Sequence, residues 1–264
     1  MDGPAVLESV AMDFTGKVVI VTGASSGIGR QAALAFARNG ASVVVVARDE
    51  SALTAVVKEM SGATTLVCAR DVTAPGAADA IVAAAVERFG RLDALVNAAG
   101  IIAMGSVDQT DDALWNRVME LNVNAPFRLM RAAIPALKAQ RGAIVNVSSV
   151  NGRRVFPGLA VYNVSKGALD HLTRCAAIEL APAGVRVNAV SPGVTVTNLH
   201  RRGGMGEEQY SAFLVRAKET HPLGRPGQPE EVADLIVFLA SDRAAFITGE
   251  TIAIDGGRHL TCAR

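Results

Sequence analysis

The sequence is short of aromatic residues: phenylalanine, tyrosine and tryptophan make up 4% of it, with one tryptophan and two tyrosines. Its core must therefore be filled by small and aliphatic side chains. Half of the chain is hydrophobic and 25 residues are glycine, which suits helices pressed closely onto a sheet. Charge of one sign is also missing. The net charge is +1, so there is no electrostatic argument for a nucleic acid or an anionic membrane as partner. The three cysteines, Cys68, Cys175 and Cys262, are odd in number and far apart, with neither a CxxC pair nor a metal-ligand spacing. They read as unpaired thiols in a reducing compartment, without a disulfide framework or a metal site. The chain does not open on a basic stretch followed by an apolar core, and no run approaches the roughly 18 apolar residues of a membrane span. The final Thr-Cys-Ala-Arg matches neither a prenylation box nor a peroxisomal signal. The expectation is a soluble, cytoplasmic protein.

What is present is a repeating alternation. Residues 1–15 read as a loosely attached arm, and no linker divides the rest, so one domain is expected over 16–264. Apolar runs at Val18–Val21, Ser42–Ala47, Thr64–Cys68, Ala94–Asn97, Ala143–Val147, Arg186–Val190 and Thr251–Ile254 are continuous rather than alternating, as strands buried on both faces are. Between them lie helical patterns at Ile28–Asn39, Glu50–Met60, Ala77–Phe89, Asp111–Gln140, Val161–Ala181 and Pro229–Ala240. The fourth of these is expected to break or bend near Asn122 to Pro126. About seven parallel strands with helices on both faces make a doubly wound α/β fold. In such a sheet a ligand binds outside the carboxyl ends of the strands, and each motif of note follows a strand.

The first strand runs into Thr22-Gly23-Ala24-Ser25-Ser26-Gly27-Ile28-Gly29. Glycines let the backbone turn sharply and approach a pyrophosphate, and the free amides at the start of the next helix favour the anion. The spacing is Gly-x-x-x-Gly-x-Gly. The second strand ends in Ala47-Arg48-Asp49. An acidic residue there would accept from a ribose 2′-hydroxyl and repel a 2′-phosphate, whereas an arginine holds that phosphate; Arg48 favours NADP(H) over NAD(H), with Asp49 close enough to compete. Further on, Tyr162 and Lys166 are four residues apart on one helix and share a face. A lysine cation beside a phenol is expected to lower the phenol pKa and make Tyr162 a general acid or base. Ser149 adds a hydroxyl at the end of an apolar run, thirteen residues before Tyr162.

With Asp71-Val72 after the third strand, Asn97-Ala98-Ala99-Gly100 after the fourth, Asn122, and Pro192-Gly193 after the sixth, these motifs make the chain resemble the most common subtype of the short-chain dehydrogenase/reductase family, over roughly residues 14–257. The resemblance implies a Rossmann fold and an NAD(P)-dependent hydride transfer between the cofactor and a carbonyl or alcohol. It assigns Gly23, Ser25, Ser26, Gly27, Ile28 and Gly29 to the pyrophosphate and adenosine ribose, Asp71 and Val72 to the adenine, and Asn97, Ala98 and Gly100 to the ribose border. Pro192, Gly193, Thr195 and Thr197 match the segment that approaches the nicotinamide. Ser149 rather than Ser148 would hydrogen-bond the substrate oxygen, Tyr162 would donate the proton, and Lys166 would bind the nicotinamide ribose. Asn122, rather than the nearby Asn124, would hold a water linking Lys166 to solvent. A homotetramer is implied as well, and Asp111–Gln140 and Val161–Ala181 do carry apolar residues on more than one face.

The substrate is less legible. Val150–Val161 and the long stretch 194–228 are expected to wall it, the second as a lid with a short helix at Glu207–Glu219. Phe156, Leu199, Met205 and Phe213 suggest an apolar pocket. Arg153-Arg154 and Arg201-Arg202 offer charge to an anionic substrate or carrier, although solvated loop charge accounts for them more simply, as loop polarity does for His200 and His221. An NADPH-dependent ketone or 3-oxoacyl reductase is the leading expectation, ahead of an NAD-dependent steroid or sugar dehydrogenase and, remotely, a non-catalytic dinucleotide-binding sensor or scaffold.

Overall fold

In the computed structural model, which describes residues 12–261, each apolar run becomes a strand of one parallel sheet. The strands are β1 (Val18–Thr22), β2 (Ser42–Ala47), β3 (Thr65–Ala69), β4 (Ala94–Asn97), β5 (Ala143–Val147), β6 (Arg186–Pro192) and β7 (Thr251–Ile254). Their order is β3-β2-β1-β4-β5-β6-β7. The chain walks outward from β1 to β3, then returns to the other side of β1 to build β4 through β7. The strand order reverses between β1 and β4, which is where doubly wound sheets open a crevice for a ligand.

The continuous apolar strands are explained by the two layers they serve. Val19, Val21, Val43 and Val45 face one core with α1 (Gly27–Arg38), α2 (Glu50–Glu59) and α9 (Pro229–Ala240). Val18, Ile20, Val44 and Val46 face the other with α3 (Ala77–Phe89), α5 (Ala125–Gln140) and α6 (Ala160–Leu180). Neighbouring residues point to opposite faces of a strand, so burial on both faces favours apolar residues at successive positions, and a polar one such as Asn146 must be hydrogen-bonded. The expected arm over 1–15 lies mostly outside the described residues, as does Cys262. Phe14, within them, is buried edge-on against Phe36 with ring centroids 5.0 Å apart, which ties the start of the described chain to α1.

The helical pattern over Asp111–Gln140 resolves into α4 (Asp112–Met119), a single π-helical turn (Glu120–Asn124) and α5. Pro126 has no N–H to donate and sits in the first turn of α5, so the break falls just before it. β6 runs two residues further than its apolar pattern suggested, to Pro192, and the segment after it contains two helices, α7 (Leu199–Arg202) and α8 (Glu207–Thr220).

Candidate active site

The glycine turn is dictated by close approach. Gly23 has φ of +67°, and a Cβ there would lie 2.9 Å from the carbonyl oxygen of Ala98. At Gly29 a Cβ would fall 2.4 Å from the Gly23 carbonyl, so only glycine lets α1 start against the end of β1. Thr22 Oγ1 accepts from the backbone amides of Ala98 and Ala99, both at 3.1 Å, and fastens the β1 end to the β4 end. Ser26 is the N-cap of α1 but makes no side-chain cap, and no acidic residue stands in the first turn. The helix therefore presents uncapped amides and its positive end to the crevice, as an anion site requires.

Beside this turn, Arg48 is exposed at the end of β2. The competing Asp49 is otherwise occupied: its carboxylate caps α2, accepting from Ala52 N at 3.0 Å and from Ser51 Oγ at 2.8 Å. Asp71 is held below its usual carboxylate range by hydrogen bonds from the Thr73 hydroxyl and amide, with Arg48 adding to the effect. Val72 is buried in the core of the α3 side, and Asn97 is buried within the sheet. Asn97 donates to Asn146 at 2.9 Å, and Asn146 in turn donates to Thr173 at 2.9 Å. This polar ladder joins β4, β5 and α6 directly behind the site.

The π turn carries Asn122 inward and Asn124 outward. Asn122 Oδ1 accepts from Ile101 N at 2.9 Å, and its Nδ2 donates to Ile101 O at 2.9 Å and Ser165 Oγ at 3.0 Å. Asn124 instead donates to Glu120 on the exposed side. A Cβ at Gly100 would lie 3.3 Å from Asn122 Oδ1 and 3.7 Å from Lys166 Nζ, so the bare glycine keeps open the space these two groups share.

Ser149 and Ser148 diverge. The Ser149 hydroxyl lies near enough to the Tyr162 phenol to lower its pKa, and it donates to Asn151 Oδ1 at 3.1 Å. The Ser148 hydroxyl turns to the Lys166 carbonyl at 3.4 Å and to Asp170. Lys166 donates to the Val147 carbonyl at 2.8 Å, with Nζ 5.8 Å from the centre of the Tyr162 ring. The expectation that this cation would hold the phenol low is overturned. Burial pushes Tyr162 above its ordinary value, opposed only by the neighbouring Ser149 hydroxyl. The reason lies in Lys166 itself, which is fully desolvated: burial brings its pKa down to about 8 against the pull of Asp170, and its ammonium is directed at a carbonyl rather than at the phenol.

The segment after β6 is pinned above the site. Gly193 leaves room for His221, whose Nε2 would lie 2.8 Å from a Cβ there. That Nε2 accepts from Val194 N at 3.1 Å while Nδ1 donates to Ala217 O at 2.8 Å, which requires the neutral ring. Burial lowers the His221 pKa in the same direction. Thr195 is buried and bonds back to the Gly193 carbonyl, and Thr197 packs its methyl against the position of Gly27 and accepts from the Tyr210 hydroxyl at 2.9 Å. All four loop arginines have partners within the chain. Arg153 donates to the Thr251 carbonyl and Arg154 to the carbonyls of Arg258 and Thr261. Arg201 forms a two-pronged pair with Glu207 at 2.6 and 2.7 Å and lies over the Tyr210 ring. Arg202 reaches Ser26 Oγ in the glycine turn at 2.9 Å. Of the expected apolar wall, Phe213 packs against His200 with centroids 4.5 Å apart, and Phe156 sits beneath the guanidinium groups of Arg154 and Arg258.

Two further features accompany the predicted residues. Asp170 is buried one turn beyond Lys166, with Oδ1 lacking a partner, and it continues the four-residue spacing of Tyr162 and Lys166. Asn151 and Asn163, joined at 2.7 Å, brace the loop behind Ser149.

A parallel sheet with an uncapped glycine turn at its switch point, and a serine, tyrosine and lysine following the next strands, is the arrangement of a dinucleotide-binding oxidoreductase. A family model described as enoyl-(acyl carrier protein) reductase matches residues 23–259. A 3-oxoacyl-[acyl-carrier-protein] reductase of Thermotoga maritima is 39% identical over 93% of this chain and 99% of its own. A trans-4-hydroxycyclohexanecarboxylate dehydrogenase of Sinomonas cyclohexanicum is 39% identical over 91% of this chain and 92% of its own. The crystal structure of a short-chain dehydrogenase/reductase of unknown function from Caenorhabditis elegans, with cofactor, superposes with a TM-score of 0.88 at 35% identity, covering 94% of this chain and 97% of that one. The chain belongs to the short-chain dehydrogenase/reductase family, and it is an NAD(P)-dependent oxidoreductase acting on carbonyl or CH–OH groups.

Proposed function

We propose that the protein is an NADPH-dependent reductase of ketones or 3-oxoacyl thioesters, with Ser149, Tyr162, Lys166 and Asn122 as its catalytic set. The observation that carries this reading is the buried Tyr162 phenol with the Ser149 hydroxyl close enough to act on its pKa, which sets two hydroxyls side by side after β5. A carbonyl oxygen at that point would accept from both. Ser149 holds the oxygen as negative charge develops on it, and Tyr162 delivers the proton. The cofactor, when bound, supplies the hydride. A phenol kept protonated by burial is suited to the reductive direction, because it arrives as an acid. Lys166 would hold the nicotinamide ribose through its ammonium, and the space beside Gly100 lets a water bridge it to Asn122 Oδ1, which has a lone pair left after Ile101. The glycine turn, with Ser25, Ser26 and Ile28, would hold the pyrophosphate, and Asp71 would border the adenine.

NADPH is supported by the division of labour at the end of β2: Arg48 is free to meet a 2′-phosphate, while the Asp49 carboxylate is turned into its helix cap. The reading also takes 16–264 as one domain with 194–228 as its lid, a cytoplasmic location, and a homotetramer. Exposed Trp115, Phe127, Val164 and Ile178 on α4, α5 and α6 support assembly through those helices. Among the described residues no helix is long and apolar enough to cross a membrane.

The test follows NADPH consumption against a panel of ketones and 3-oxoacyl thioesters. Tyr162→Phe is expected to bind NADPH like the wild type and to lose turnover by a factor of about 100 or more. A Tyr162→Phe enzyme with wild-type turnover would sink the mechanism, and tight NADPH binding without turnover on any carbonyl would favour a sensor.

A further inference from the structure

Arg202 is the one loop arginine whose partner lies in the glycine turn. Its neighbour Arg201 is neutralised by Glu207 and laid over Tyr210, whereas Arg202 is exposed and meets the uncharged hydroxyl of Ser26. That contact spans 176 positions of sequence and ends on the uncapped start of α1. α7, which carries Arg202, is held over the turn at both ends. On one side Thr197 packs against Gly27 and is fixed by Tyr210. On the other, a Cβ at Gly203 would lie 2.7 Å from the side chain of Ile102, so glycine is needed for α7 to press onto the loop after β4.

We propose that Arg202 is a cofactor-phosphate ligand supplied by the segment after β6, with Ser26 holding its guanidinium in place until a dinucleotide phosphate takes over. The inference rests on the dinucleotide reading of the glycine turn. A guanidinium carries five donors in a planar fork. One neutral hydroxyl engages a single nitrogen, while a phosphate oxygen offers a charge-assisted and two-pronged alternative at the same place. Binding the dinucleotide would then draw α7 down onto it, and the bound phosphate would couple cofactor occupancy to closure of the substrate wall.

The test compares the intact wild-type chain with Arg202→Gln and Arg202→Lys. Affinities for NADPH, ADP-ribose and adenosine are measured by calorimetry, and hydrogen exchange is followed over 199–206 with and without ADP-ribose. Arg202→Gln keeps a donor for Ser26 and removes the charge. It is expected to weaken ADP-ribose and NADPH by roughly tenfold to a hundredfold, leave adenosine unchanged, and abolish the slowing of exchange that ADP-ribose produces in the wild type. Arg202→Lys is expected to recover part of the affinity. Wild-type affinity for ADP-ribose and NADPH in Arg202→Gln overturns the proposal and leaves the dinucleotide reading standing. Failure of the wild type itself to bind either one overturns that reading, and the proposal with it.

Discussion

The desolvated Lys166 beside Tyr162 makes a quantitative prediction that does not depend on knowing the substrate. Lys166 has its pKa drawn from 10.5 to about 8 by burial, opposed by Asp170. A basic group whose native pKa is depressed weakens the fold while it is protonated, and the weakness is relieved as pH rises from the native pKa toward the unfolded one. At pH 7 both states carry the proton and nearly the whole shift counts against folding, roughly 3 kcal/mol. At pH 9.5 the native lysine has lost its proton while most unfolded chains keep theirs, and about 1 kcal/mol remains. Between these pH values the native state binds fewer protons than the unfolded state, so this contribution raises stability with pH.

The perturbation is Lys166→Met, which keeps an unbranched apolar stem and removes the titration. Urea unfolding of both proteins, followed by far-ultraviolet circular dichroism at pH 7 and 9.5, cancels every other titrating group to first order. Wild-type stability relative to Lys166→Met should climb by about 2 kcal/mol over the interval. Repeating the pair in an Asp170→Asn background removes the carboxylate that helps to hold the proton, and the climb should begin at lower pH. A difference that stays flat within about 0.5 kcal/mol, or falls, would refute the account of Lys166 as a desolvated cation. Turnover should decline through the same window near pH 8, since the ammonium that would hold the ribose disappears there.

Three other substitutions probe the frame around it. Gly29→Ala places a Cβ 2.4 Å from the Gly23 carbonyl and should destabilise by roughly 3 kcal/mol while weakening NADPH binding; thermal unfolding at wild-type temperature would contradict the packing argument. Asn122→Ala strands the partly buried amide and carbonyl of Ile101 and removes a donor from the Ser165 hydroxyl, which keeps its own bond to the Tyr162 carbonyl, for a loss of roughly 2–4 kcal/mol by urea titration; a loss under 1 kcal/mol would mean that water replaces the side chain. Arg48→Glu should raise the Kd for NADPH by about tenfold or more and leave NADH unchanged or improved, and equal effects on both would remove Arg48 from the 2′-phosphate.

The sheet was legible because burial on both faces leaves a local trace: Val18–Val21 and Val43–Val46 are unbroken apolar runs because each side meets a helix layer. The break near Asn122 was legible because Pro126 has no amide, although its form as a π turn was not. Contacts between distant segments left no such trace. Nothing local to Arg202 points to Ser26, and nothing in Val72 distinguishes a core side chain from one bordering a ring. The direction of the Tyr162 pKa failed for a related reason. Spacing on a helix fixes which residues share a face, but the balance between a cation and desolvation depends on how much protein covers both, and here burial wins.

The same burial explains why the site is braced by so many neutral hydrogen bonds. A water-excluded pocket strengthens each dipole directed at the substrate oxygen, but it leaves any unpaired polar group costly. The ladder from Asn97 through Asn146 to Thr173 meets most of that cost beneath β4, β5 and α6, leaving Asn97 Oδ1 without a partner, and the Asn151–Asn163 pair meets it behind Ser149. Asn122 does so by binding both polar atoms of Ile101, which also fixes the loop after β4 at the distance that leaves Gly100 open. With these amides in place the elements bearing Ser149, Tyr162 and Lys166 cannot shift independently. The two hydroxyls proposed to meet the substrate oxygen are therefore held in fixed relation to each other, as the segment after β6 is held over the glycine turn through Thr197, Gly203 and His221.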